Sequence, residues 1–293
     1  MKFSVIIPTR ERATYLHACL RSVLVAADNA GCEVEIVVSD NASADDTAEV
    51  VASLADPRIR YQRAPRRLSM RRNFEFALGM ATGSHVIFIG DDDAVLPHGL
   101  GLLRRLVEDT GADLYKWRVI NYRWPDPETG VPGYLKVRPQ AFSGRRSEIA
   151  PRALLARLMR ARYRSHRDGA MIYHGCISRR VIERARERNG GTYFWCSSPD
   201  LYSSIQNLMA SDRPLIRIEA PVTLGGISPR SNGASGQKLA HQADAVEGSE
   251  FARFIAESEG DPFQGALPAS CPSIALVMLD CLLTAARNQS SDL

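Results

Sequence analysis

The feature that most constrains this chain is the beat of its first 120 or so residues. "FSVIIP", "EVEIVVSD" and "SHVIFIG" are short apolar runs, and segments with helical periodicity separate them, such as "ATYLHACLRSVLVAA" with Leu16, Leu20, Val23 and Leu24. A strand that is apolar on both sides must be covered on both faces, and strands joined through helices run parallel. The expected fold is therefore α/β, a mainly parallel central sheet flanked by helices. "RIRYQRA" reads as a more polar strand near an edge and "ADLYKWRVIN" as one further strand. "SADDTAEVVASLA" reads as a helix opened by a capping box of Ser43 and Asp46, with Asp45 in a similar structural role.

After residue 123 the rhythm breaks. "WPDPETGVPGYLKVRPQAFSGRR" is a long Pro- and Gly-rich excursion, followed by a basic amphipathic helix, a strand and helix in "GAMIYHGCISRRVIERARERNG", a helix in "SSPDLYSSIQNLMAS" and a strand-like "PLIRIEAPVTLGGIS". From about residue 229 come a Ser/Gly-rich loop, a helix around 241–258 and a last apolar helix. The organisation expected is 1–122 as one half of a domain, 123–228 as the other half, and 229–293 as a loop and helical extension.

No stretch reads as a signal peptide, and "SIALVMLDCLLTAA" is interrupted by Asp280. The expectation is a cytoplasmic protein without an integral anchor. The net charge of +4 is small but uneven. Arg60, Arg63, Arg66, Arg67, Arg71 and Arg72 crowd one stretch, either as a solvated face or as a rim that meets diphosphate, an acidic acceptor or anionic lipid at the inner face of a membrane. Six cysteines without metal-ligand spacing read as free thiols rather than a disulfide framework or a zinc site, and no nucleic-acid partner is expected.

The chemistry is expected where parallel strands end, since ligands of open α/β sheets bind at the carboxyl edge. "HVIFIGDDDAVLP" places three aspartates at such an end. Two unit charges about 4 Å apart repel by about 4 kcal/mol at an effective dielectric near 20. Asp91, Asp92, Asp93 and Asp40 share this rim with Pro8, Thr9, Arg10, Glu11 and Asn41. A hard divalent cation, Mn²⁺ or Mg²⁺, held by one or two carboxylates and substrate phosphates would offset the repulsion. No G-x-G-x-x-G follows the first strand and no P-loop is present, so a dinucleotide oxidoreductase and a P-loop NTPase are disfavoured.

"FSVIIPTRERATYLHACLRSV", "EIVVSDNASADDTAEVV", "RRNFEFALGMATGSHVIFIGDDDAVLPHGL" and "SPDLYSSI" together resemble the successive motifs of the inverting family 2 glycosyltransferases with a GT-A fold. The resemblance implies that Pro8, Thr9 and Asp40 hold the nucleotide, with Arg10, Glu11, Asn41 and Arg72 beside it. It implies that Asp92 is the metal ligand, with Asp91 on ribose or metal and Asp93 supporting, and that Asp200 is the general base. It implies a nucleoside-diphosphate sugar donor, a UDP-sugar in expectation, and a glycan or lipid-linked acceptor, as in polysaccharide or lipopolysaccharide assembly. Gly90 stands where the Asp-x-Asp motif begins, and Asn41 replaces a usual glycine, a position asparagine fills because it tolerates left-handed backbone. No Gln-x-x-Arg-Trp element is present, which favours single transfer over processive synthesis.

Several residues have ordinary structural readings beside these. Asp200 could simply sit in a helix first turn, with Ser197 or Ser198 as cap. Tyr193 and Trp195 fit a core or hinge as well as acceptor contact, and His174 reads as a core histidine. Residues 225–236, with Arg230 and Ser231, fit a closing loop or a plain linker. A sugar-phosphate nucleotidyltransferase and a catalytically degenerate nucleotide-sugar-binding protein remain the alternatives.

Overall fold

A computed structural model describes residues 1–160, 169–229, 250–267 and 273–290. The strands β1 (Lys2–Thr9), β2 (Glu33–Asp40), β3 (Ile59–Arg63) and β4 (His85–Phe88) are parallel neighbours, alternating with helices α1 (Ala13–Asp28), α2 (Thr47–Leu54) and α3 (Met70–Met80). Their order places the polar β3 at one edge, as its exposed, charged side chains require. Along β1, Phe3, Val5 and Ile7 enter the core under α1, while Ile6 joins the core on the opposite face with Phe74 of α3. That two-sided burial is why the run is apolar without alternation.

The strand β5 (Ala94–Val95) and α4 (Gly99–Thr110) lead into β6 (Leu114–Trp117) and β7 (Ile120–Arg123). Then come β8 (Tyr134–Lys136), a 3₁₀ turn at Pro139–Phe142, β9 (Arg146–Ile149) and α5 (Pro151–Met159). The chain continues through β10 (Gly175–Ser178), α6 (Arg179–Arg188), α7 (Pro199–Ala210), β11 (Leu215–Ile218) and β12 (Thr223–Ile227). Two C-terminal helices are described, α8 (Glu250–Glu259) and α9 (Ile274–Ser290). The main sheet has the order β3-β2-β1-β4-β10-β6-β11-β9, parallel except for β10 and β9.

"ADLYKWRVIN" is two strands rather than one, and "PLIRIEAPVTLGGIS" likewise divides. In each, the first strand (β6, β11) stays in the main sheet and the second (β7, β12) joins a small sheet of order β5-β12-β7-β8. The two segments cross between the sheets side by side, with Arg118 of one paired to Glu219 of the other. The crossing carries β12 over the end of β4, where the three aspartates lie. Among the described residues no helix is long and apolar enough to cross a membrane.

Candidate active site

The ends of β1 and β2 lie in register, Thr9 opposite Asp40 and the half-buried Pro8 opposite Ser39. The loops beyond them are clasped together. Glu11 N–H donates to Ser43 Oγ (2.9 Å), Ala44 N–H donates to Glu11 Oε1 (3.0 Å), and Ala13 N–H donates to Asp45 Oδ2 (2.9 Å). The expected capping box does not form. Ser43 serves the neighbouring loop, Asp46 is at the N-cap of α2 without a side-chain bond, and Asp45 caps α1 from across the clasp. Glu11 is thus a latch, in left-handed backbone at φ +54°.

Asp40 is buried, its Oδ1 accepting from Ser43 N–H (2.9 Å) and its Oδ2 from the Tyr61 hydroxyl (2.6 Å). Burial and Asp40 together push the Tyr61 phenol above its ordinary range. The left-handed residue after β2 is Ala42 (φ +54°), not Asn41. Asn41 instead holds another loop, exchanging two 2.8 Å bonds with the backbone of Leu68.

The three aspartates after β4 have unequal surroundings, although all are buried. Asp91 accepts from Thr9 Oγ1 (2.7 Å) and from Arg12 Nη1 (2.8 Å). Asp93 is fully engaged: Gly90 N–H (2.6 Å) and the Tyr173 hydroxyl (2.7 Å) donate to Oδ2, Gly226 N–H donates to Oδ1 (2.7 Å), and His174 Nε2 is 3.3 Å away. Burial, with the charge of Asp92, nevertheless pushes the Asp93 carboxyl up to about 8. Asp92 accepts on Oδ2 from Ser228 Oγ (2.6 Å) and Ser228 N–H (3.2 Å), while Oδ1 makes no hydrogen bond among the described residues and is 3.9 Å from Arg12 Nη1. Burial and the neighbouring Asp91 raise the Asp92 carboxyl above its ordinary value. Burial works against the charge of Arg12, but Asp91 and Asp92 outweigh it and hold the guanidinium protonated.

Three carboxylates thus face one guanidinium, Arg12, and the imidazole of His174, and among the described residues Asp92 Oδ1 makes no hydrogen bond. No trio of His, Cys, Asp or Glu among the described residues is already grouped to hold a metal ion. The all-oxygen donor set fits a hard divalent cation that takes most of its ligands from substrate and water.

Gly90 has a steric reason to depart from the motif. A Cβ there would be 2.7 Å from the Tyr173 hydroxyl and 3.1 Å from carboxylate oxygens of Asp92 and Asp93. A Cβ on Gly226 would be 1.8 Å from the Asp92 carbonyl oxygen, so β12 approaches this loop backbone to backbone.

The other expected residues are not all in direct contact with this group. Arg10 pairs with Glu257 of α8 (2.9 Å). Arg72 is 3.7 Å from Asp261, whereas Arg71 is the buried member, bonded to Asp261 (2.8 Å) and placed over the Phe263 ring. Asp200 is half-buried in the first turn of α7, with Ser198 at the N-cap and no side-chain cap bond. Its carbonyl accepts from Ser203 Oγ (2.6 Å), which in turn accepts from Ile172 N–H (3.2 Å), one residue before Tyr173. A chain of bonds therefore joins the start of α7 to Asp93.

Sequence reasoning missed Arg12, Tyr173 and Ser228, and misread His174, which faces Asp93 and Thr223 rather than the core. One signal was available: Arg12 occupies the N-cap of α1, where short polar residues are the rule. Tyr193 is fully buried and Trp195 packs on Phe263, both structural placements. The start of the 225–236 loop does reach the carboxylates, through Gly226 and Ser228. Arg230 and Ser231 lie outside the described residues.

Residues 4–163, more than half of the chain, match the glycosyl transferase family 2 profile. The chain belongs to glycosyl transferase family 2. This family 2 glycosyltransferase shares its fold with TarS of S. aureus, solved with UDP-GlcNAc (TM-score 0.58, 16% identity, 88% of this chain and 70% of that one). It also shares it with the mannosyltransferase PcManGT of Pyrobaculum calidifontis, solved with GDP-Man and Mn²⁺ (TM-score 0.54, 18% identity, 99% and 74%). The GT-A-type fold expected from the motifs is the one observed. In sequence, it is 32% identical over 117 residues to the GalNAc(5)-diNAcBac-PP-undecaprenol beta-1,3-glucosyltransferase of Campylobacter jejuni, covering 39% of this chain and 37% of that protein. The chain spans about a third of the length of the curated relatives it matches. Family membership decides against the nucleotidyltransferase alternative.

Proposed function

We propose that this chain is a non-processive, inverting glycosyltransferase that moves a sugar from a nucleoside diphosphate to a hydroxyl of a glycan or lipid-linked acceptor. The observation that carries the reading is Asp92: a buried carboxylate among like charges, with one oxygen that no described residue bonds, at the carboxyl end of a central strand in a family 2 fold. Residues 1–122 bind the donor, and 123–228 supply the acceptor side and the base.

Asp92, with Asp91 beside it, would hold Mn²⁺ or Mg²⁺; when bound, the ion neutralises the departing diphosphate. Thr9 and Arg12 orient Asp91 through their hydrogen bonds to it, and Asp93 anchors the loop. Asp200 takes the proton of the acceptor hydroxyl as that oxygen attacks the anomeric carbon from the face opposite the leaving group. Inversion follows, and no covalent sugar–enzyme intermediate is needed.

The structures with UDP-GlcNAc and with GDP-Man and Mn²⁺ support a nucleoside-diphosphate donor and a divalent ion. A UDP-sugar is the first choice. The undecaprenol in the name of the C. jejuni relative supports a lipid-linked acceptor and peripheral work at a membrane, of the kind polysaccharide assembly requires. A thermal-shift panel of nucleoside diphosphates with and without Mn²⁺ tests the reading. Stabilisation by one nucleotide that depends on metal is expected; no response to any nucleotide would contradict it.

A further inference from the structure

We propose that Trp124 is a sugar-binding residue, the wall against which the hexose of the donor packs. The inference rests on the functional reading above and adds a residue to it that no motif pointed to. Trp124 follows β7 and is half-buried. It meets Tyr15 of α1 edge to face at 4.9 Å and Tyr122 at 5.3 Å. None of these three rings belongs to either apolar core. Three partly exposed aromatics gather outside the core, and Trp124, which the other two flank, is bonded to the Asp92 loop.

Their position explains them. The indole N–H donates to the carbonyl oxygen of Asp92 (2.9 Å), and the backbone N–H of Trp124 donates to Ile227 O (3.0 Å), one residue before the Ser228 that binds the Asp92 carboxylate. Gly226 leaves no slack, since a Cβ there would be 3.0 Å from the indole nitrogen. The ring is therefore fixed by a hydrogen bond to the backbone of Asp92, the residue assigned to the cation that meets the donor diphosphate. A donor hexose hangs directly from that diphosphate. A pyranose presents an apolar C–H face edged by hydroxyls, and an indole with its polar edge already bonded offers a matching apolar face. Tyr193 and Trp195, the aromatics the sequence suggested, are held in structural packing instead.

The test compares nucleotide sugars with the bare nucleotides, using UDP, GDP, UDP-GlcNAc and GDP-mannose as calorimetric probes in Mn²⁺ buffer. Trp124→Leu should weaken the bound nucleotide sugar about ten-fold while changing the parent diphosphate by less than about two-fold. Trp124→Phe keeps an aromatic face but loses the N–H, so it should retain most of the sugar-dependent affinity. It should also abolish sugar-dependent quenching of tryptophan emission, which Trp117 and Trp195 do not supply. An unchanged nucleotide-sugar affinity in Trp124→Leu would overturn the inference alone. So would equal losses for diphosphate and nucleotide sugar in both variants, which would make the indole a support for the Asp92 loop. If the wild-type chain binds none of the four probes, the functional reading falls and the inference with it.

Discussion

The two ends of the same central strands hold buried carboxylates in opposite conditions. At the amino end, Glu35 is saturated with donors: Ser4 Oγ (2.6 Å), Thr82 N–H (2.5 Å) and Oγ1 (2.7 Å), Gly83 N–H (3.1 Å), Lys2 Nζ (2.8 Å) and Arg60 (3.3 Å). Burial alone would raise its carboxyl, but Lys2, Ser4 and Thr82 outweigh that and hold it below the ordinary carboxylate range. At the carboxyl end, Asp91 and Asp92 face Arg12 while Asp93 has, as its basic neighbour among the described residues, only His174 Nε2 at 3.3 Å, and the carboxyls of Asp92 and Asp93 rise. A fully compensated carboxylate ties strands together. A cluster left short of positive charge is less stable without a partner, and that shortfall is what a cation and a diphosphate can use.

Substitutions at each end should have opposite consequences. The largest effect should come from Asp92→Asn, which removes a charge from the unbalanced cluster. Transfer should fall by about 10²–10³-fold or more, while the melting temperature in metal-free buffer should rise because like-charge repulsion is relieved. Steady-state kinetics and calorimetry on the same preparation check both. Asp200→Asn should lose transfer to a comparable degree yet bind nucleotide normally and leave the metal-free melting temperature nearly unchanged, which separates base from cation site; full retained transfer would sink its assignment.

At the amino end the pattern should reverse. Glu35→Gln should leave kcat near the wild-type value and cost about 2–3 kcal/mol of stability in urea unfolding. Because the folded carboxyl of Glu35 titrates below its unfolded value of about 4.3, its contribution is complete above that pH and fades as pH falls through the folded value. Wild type should therefore lose more stability than Glu35→Gln between pH 7 and pH 3. The smallest effect should be Asp45→Ala, which frees the α1 cap and should cost about 1 kcal/mol, seen as a modest drop in melting temperature.

How far the sequence carried the reading follows the range of the interactions. The β1–α1–β2–α2–β3–α3–β4 succession was legible because each element is set by its own periodicity. The rim followed from that succession, since Thr9, Asp40 and Asp91–Asp93 stand at strand ends. What was not legible is held by distant partners. The Asp91–Arg12 pair joins loops 79 residues apart, and the Asp92–Ser228 bond spans 136 residues. Within "PTRER", only its place at the start of α1 distinguishes Arg12, which reaches the aspartates, from Arg10, which pairs with α8. The switch between sheets at residues 118–119 and 219–222 falls on Arg118, Glu219 and Pro221, and the Arg118–Glu219 pair that joins the two crossings is a contact between residues 101 apart. The crowd of arginines likewise dissolves into separate tasks, Arg60 on Glu35, Arg71 on Asp261 and Arg63 on the Ser43 carbonyl.

If the carboxyl-end cluster is held short of positive charge to receive a cation together with the donor diphosphate, removing one carboxylate should stabilise the unliganded protein and abolish that response. The most direct measurement is the melting temperature of wild type and Asp92→Asn, each alone and with Mn²⁺ plus the nucleoside diphosphate selected by the panel. The account predicts that the variant melts higher than wild type alone, that wild type gains stability when metal and nucleotide are added together, and that the variant gains little. An equal gain in both proteins, or a wild type that melts higher than the variant without ligand, would contradict it.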